Sequence, residues 1–153
     1  MLRGGVLVRL RIPLALLLVA GMLVAWSGTS PAQTRREIRV AMSSFKFEPS
    51  ILSVNEGDTV VLQIDNIDDK QRPHAVNSPY LSQVDFTVTG EGKQDVTKDG
   101  TKYVRVEAGK KAEITFVAKG RGQYTYVCNI GTHASNGMTG ALIVWPAGYH
   151  IQK

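Results

Sequence analysis

From Glu37 onward the apolar residues of this chain recur at every second position, and Gly, Pro, Asn or Asp interrupts them every few residues. Ile38, Val40 and Met42 alternate with polar neighbours, as do Phe45 and Phe47, and no stretch of ten or more residues carries a helical repeat. A period of two belongs to strands, whose successive side chains point to opposite faces. Short strands of this kind with frequent breakers predict an all-β domain, an antiparallel Greek-key β-sandwich or barrel of seven to eight strands. Ile51–Val54, the turn Asn55–Asp58 and Thr59–Asp65 read as a hairpin-like unit, and Tyr103–Val106 with Ile114–Val117 as a second strand pair across the turn at 108–110. Residues 66–73 are polar and loop-like, and Pro73 fixes the entry to a strand that opens at His74. Residues 77–100 read as an excursion or long loop around one alternating piece, Val84–Val88. Tyr124–Cys128 and Ala141–Trp145 complete the strands.

The first 32 residues have a different character. Arg3, Arg9 and Arg11 precede an apolar run from Ile12 to Trp26, which ends in small residues up to Ala32. That order is the pattern of a secretory signal peptide with cleavage near Gln33. The run is broken by Pro13 and Gly21 and falls short of the roughly 20 apolar residues that span a bilayer, so an uncleaved anchor is the lesser reading. The expected organisation is a signal at 1–32 and one domain at 33–153, exported to the periplasm. Three of the 18 basic residues and none of the 13 acidic ones lie in the leader, so the formal charge of +5 falls to +2 in the mature domain. No basic cluster with interleaved aromatics remains, which argues against nucleic-acid binding.

An exported chain normally uses cysteines in pairs, yet this one has a single cysteine, Cys128. An unpaired thiol in an oxidising compartment is a liability unless it is buried or bound to a metal. It stands in the run Gly122-Gln-Tyr-Thr-Tyr-Val-Cys128-Asn-Ile-Gly-Thr-His133-Ala-Ser-Asn-Gly-Met138-Thr-Gly140, which spaces a thiol, an imidazole and a thioether five residues apart. Alternation puts Cys128 on the face of Tyr124 and Tyr126, toward the interior. Gly131, Gly137 and Gly140 allow the following loop to curl. Thiolate, thioether and imidazole donors suit copper, and two His, one Cys and a weak axial Met form the blue-copper arrangement. The second imidazole is assigned to His74; His150, beyond the last strand, reads as surface decoration. Each residue alone is ordinary: a buried thiol, a loop histidine, a core methionine. Their joint spacing is what points to one copper ion bound by His74, Cys128, His133 and Met138.

This loop resembles that of the cupredoxins, the type 1 blue copper proteins, with rusticyanin and then auracyanin nearest in the run Tyr-x-Tyr-Val-Cys-x-Ile-x-x-His-Ala-x-x-Gly-Met-x-Gly. The resemblance extends diffusely over 37–76, through Phe47, Pro49, the Glu56-Gly57-Asp58 turn and Asn66. It implies a one-electron carrier cycling between Cu(I) and Cu(II), with the edge of His133 reaching the surface among Ile130 and Ala134. It also implies transient redox partners: a c-type cytochrome, a terminal oxidase or a copper enzyme. The family commonly carries Asn or Ser after its first histidine where this chain has Ala75, which leaves the bracing of the cysteine loop open.

Copper delivery or storage on the same fold is the main alternative, although the mature chain holds only Met42 and Met138 as thioethers. Enzyme readings lack parts. A nitrite reductase needs a further copper with its own histidines, and a dinuclear copper-A centre needs two cysteines. A hydrolase on Cys128 and His133 needs an orienting group and an oxyanion hole. The expectation is a monomeric, non-enzymatic carrier with no membrane span after cleavage.

Overall fold

The computed structural model describes residues 33–149, so the signal reading and His150 lie outside the described residues. Eleven strands run in order: β1 (Arg35–Ser43), β2 (Lys46–Glu48), β3 (Ile51–Asn55), β4 (Thr59–Asn66), β5 (His74–Asn77), β6 (Phe86–Gly90), β7 (Lys93–Val96), β8 (Lys102–Val106), β9 (Lys111–Val117), β10 (Gly122–Val127) and β11 (Thr139–Trp145), with one 3-10 turn at Pro79–Ser82. They form two sheets, β2-β1-β4-β9-β6 and β3-β11-β10-β5-β8-β7. The expected all-β sandwich is therefore present. Among the described residues no helix is long and apolar enough to cross a membrane.

Both sheets supply alternate residues to one core. Val40, Met42, Val60, Ile64 and Ile114 from one and Val54, Val104, Val106 and Val144 from the other are almost wholly buried. Burying each such side chain removes apolar surface from water and contributes ~1.5–3 kcal/mol.

The local pairing departs from the sequence reading in three respects. The two expected hairpins do not exist, because each turn carries the chain from one sheet to the other. β3 lies parallel to β11 and β4 parallel to β1, whereas β8 pairs β5 and β7, and β9 pairs β4 and β6. Alternation within a strand is blind to which strand lies beside it. At the first crossing Asp58 accepts the Asn55 N–H at 2.9 Å, and Gly57, at φ +91°, donates its N–H to Ala118 at 2.8 Å. The sheets are accordingly mixed, not purely antiparallel. Finally, the stretch 77–100 is no long loop: it holds the 3-10 turn, β6 and β7, and with the short β2 these raise the strand count to eleven. β7 is exposed along its length, so it carries no apolar stripe to read.

Candidate metal centre

Two strand ends and one loop build the site. β5 pairs β10 through Asn77 and Val127, which brings His74, at the start of β5, beside Cys128, one residue past β10. The backbone N–H of Ala75 donates to the Cys128 sulfur at 3.3 Å. Position 75 thus braces the thiol through its main chain, which the loss of an Asn or Ser side chain leaves intact. A second N–H, from Ile130, also points at the sulfur. Burial pushes the free thiol pKa up, and the N–H groups of Ile130 and Ala75 oppose this. Donors aimed at the sulfur favour the thiolate, the form that binds metals.

Beyond Cys128 the chain coils through successive turns. The N–H groups of His133 and Gly137 donate to Ile130 and Ala134, each at 3.0 Å, and that of Met138 to His133, also at 3.0 Å; Cys128 N–H then donates to the Met138 carbonyl at 3.0 Å and closes the loop. Gly131 and Gly137 adopt φ +49° and +99°, left-handed values that tight curls assign to glycine. Gly140 has another reason. It stands opposite Tyr126 in the β10–β11 pair, and a Cβ there would lie 2.2 Å from the tyrosine ring.

The result is a triangle of donors. His74 Nδ1 lies 3.1 Å from His133 Nδ1 and 3.9 Å from Cys128 Sγ, and His133 Nδ1 lies 3.3 Å from Cys128 Sγ. An ion held by nitrogen and sulfur at about 2.0–2.3 Å at the centre of a triangle needs edges of about 3.5 Å. The donor set and its spacing fit one copper ion. His74 and Cys128 are fully buried, whereas His133 is half-buried at the mouth. Burial, then the nearby His74, hold the His133 pKa below its ordinary value. Met138 is wholly buried at the closure of the same loop. Ile130 and Ala134 are half-buried near the mouth.

Three residues of the surround escaped the sequence reading. Asp68, whose carboxylate has no exposed surface, meets His74 Nε2 at 2.9 Å and forms a two-pronged pair with Arg72 at 2.8–3.1 Å. Burial alone would raise its pKa; hydrogen bonds from Arg72, His74 and the N–H groups of Ser44 and Lys70 outweigh this and hold the carboxyl far below the usual range. The Arg72 guanidinium lies 4.3 Å over the Phe45 ring, which meets His133 edge-on at 4.9 Å. Asn66 anchors this loop: its buried amide donates to the carbonyls of Arg72 and Val106 at 2.9 Å and accepts the Asp68 N–H at 3.2 Å. A polar run such as Asp68-Asp-Lys-Gln-Arg72 reads as solvated loop; the only hint was Asn66-x-Asp68, a spacing suited to an Asx turn.

No curated protein sequence is significantly similar to the chain. Among solved structures, auracyanin B is 21% identical, with a TM-score of 0.53 over 76% of this chain and 91% of that one. The reduced auracyanin of Roseiflexus castenholzii is 18% identical, with a TM-score of 0.55 over 74% of this chain and 99% of its own. A multicopper oxidase from Campylobacter jejuni is 13% identical, with a TM-score of 0.54 over 77% of this chain but only 31% of that protein. At these identities the likeness is one of fold, and the resemblance to rusticyanin rests on the loop sequence alone. The cupredoxin-like domain family matches residues 14–144, and with this sandwich and this donor triangle the chain belongs to that family.

Proposed function

We propose that the protein is an exported type 1 copper protein that carries single electrons between redox partners in the periplasm, with His74, Cys128 and His133 as equatorial ligands and Met138 as the axial thioether. The convergence of one buried thiol and two imidazoles within 4.8 Å of one another carries this reading. Copper held by such donors supplies a one-electron Cu(I)/Cu(II) couple.

The protein's own part is to hold the donors ready. His74 is fixed from behind by Asp68, Cys128 by two main-chain N–H groups, and His133 by the hydrogen bonds of its turn and the edge of Phe45. Donors that need not move keep reorganisation small, and the buried setting excludes water. His133, half-buried with Ile130 and Ala134 around it, offers the way in for a small, transient partner contact. A c-type cytochrome, a terminal oxidase or a copper enzyme suits that role. Export rests on the charged and apolar order of residues 1–32.

The test is to add one equivalent of Cu(II) to residues 33–153 and to the Cys128→Ser variant and record visible spectra. An intense charge-transfer band in the first and not the second is the expected result. A colourless wild-type protein refutes the carrier and favours copper handling.

A further inference from the structure

We infer that Asp68 is the positioning residue of the metal centre, accepting the Nε2–H of His74 and so fixing the tautomer whose Nδ1 lone pair faces Cys128 and His133. The inference rests on the copper reading above and adds to it a residue outside the ligand set.

Every neighbour of the Asp68 carboxylate other than His74 is an obligate donor. Oδ1 meets the Lys70 N–H at 2.8 Å and Arg72 Nε at 3.0 Å; Oδ2 meets the Ser44 N–H at 3.0 Å and Arg72 Nη2 at 2.8 Å. A protonated carboxyl could offer its O–H only from Oδ2 to His74 Nε2, and on that oxygen it would weaken the charge-assisted bonds from Arg72 and the bond from the Ser44 N–H, so the group is held as an anion that only accepts. His74 Nε2, 2.9 Å from Oδ2, must therefore carry the hydrogen. In neutral imidazole the other nitrogen is then the acceptor. That nitrogen is Nδ1, which lies 3.9 Å from Cys128 Sγ and 3.1 Å from His133 Nδ1. The opposite tautomer would set a lone pair against the carboxylate and an N–H toward the metal position.

The same carboxylate reaches the second imidazole. Its pair with Arg72 lays the guanidinium over Phe45, and Phe45 presses edge-on against His133. Ser44 and Phe45 both hold left-handed backbone, φ 42° and 63°, uncommon for residues other than glycine. The Ser44 N–H to Asp68 bond ties that turn to the carboxylate. Both histidines are thus braced from one buried anion.

Asp68→Asn is the discriminating change, because it places an amide NH2 where one of the oxygens stood. Each oxygen position faces at least two donors, so the amide is mismatched in either orientation, and with its NH2 at the Oδ2 position it inverts His74. The readout is long-range 15N–1H correlation of the His74 ring in metal-free, reduced protein at neutral pH, together with Cu(I) titration against a competing chelator. In the wild type Nε2 should be protonated and Nδ1 bare. In Asp68→Asn the Nδ1–H form should appear and Cu(I) affinity should fall about 10- to 100-fold. Arg72→Gln, which keeps the carboxylate, should retain the wild-type tautomer. A bare Nε2 in the wild type overturns the inference, and so does an Asp68→Asn protein that keeps both tautomer and affinity within about threefold. Should Asp68→Asn fail to fold, the wild-type and Arg72→Gln spectra decide. The expected tautomer in a wild-type protein that binds no copper would refute the copper reading alone.

Discussion

Substituting Gly140 by alanine tests how the copper loop is packed onto the sandwich. The new Cβ would stand 2.2 Å from Cζ and 2.5 Å from the hydroxyl of Tyr126, and 2.5 Å from the Ser50 carbonyl oxygen. Ordinary contact needs about 3.4 Å, so the ring must retreat by about 1.2 Å. It has little room: Tyr126 is 3% exposed, packs edge-on against Phe47 at 4.8 Å and donates its hydroxyl to Ser50 at 3.0 Å. The Ser50 oxygen is main chain and also accepts the Ala141 N–H at 2.8 Å, so it cannot yield. Inserting a methyl into such a contact belongs at the upper part of the overpacking range, about 2–3 kcal/mol. For a domain of this size that lowers Tm by about 8–12 °C, measured on metal-free protein by near-UV circular dichroism. Gly137→Ala separates the causes: nothing lies within 4 Å of its Cβ, and φ +99° alone should cost about 1–2 kcal/mol. If Tyr126 is the obstacle, the Tyr126→Val, Gly140→Ala double variant should fall short of additivity by more than about 1 kcal/mol. A Gly140→Ala protein melting within about 3 °C of wild type, or a strictly additive double variant, would refute the reasoning.

Three further outcomes follow from the geometry. Because burial and His74 depress the His133 pKa, the unfolded chain takes up that proton first as pH falls. The stability present above the unfolded value of about 6.5 should be lost as pH drops toward the lower folded value, and urea midpoints at successive pH values should show a loss that His133→Gln lacks. Tyr80→Phe removes a buried hydroxyl that donates to the Lys119 carbonyl and accepts its N–H, both at 3.0 Å, so chemical denaturation should show a loss of about 1–2 kcal/mol. Cu(I) at about 1,000 times its dissociation constant should raise unfolding stability by about 4 kcal/mol, and Cys128→Ser should lose most of that gain in calorimetry.

The class of fold was legible because alternation reports which residues face a core, and Val40, Met42, Val60 and Ile64 do so. Strand partners were not legible, since Asn55–Asp58 looks the same whether it closes a hairpin or carries the chain to the other sheet. β7 escaped because Lys93–Val96 buries nothing. In the candidate site, Cys128 and His133 were readable because five residues separate them in one loop. His74 was found as the remaining histidine before a strand, and the structure brings all three together. Asp68, Arg72 and Phe45 were invisible for a physical reason: a buried charge is recognisable only through its partners, and those of Asp68 come from the β1–β2 turn, its own loop and the first residue of β5.

The three converging donors differ in how firmly they are held. His74 and Cys128 stand at the ends of paired strands, tied by the Ala75 N–H to sulfur bond and backed by Asp68. His133 rides on a coil of turns whose external contact to a side chain of the surround is the edge of Phe45. Two donors therefore belong to the sandwich and one to its loop. Changes in loop length or sequence between Ile130 and Gly137 should act on the third donor and on the surface around it, leaving the pair formed by β5 and β10 in place. The division gives the fold one half-site fixed on paired strands and one half carried by a half-buried loop residue.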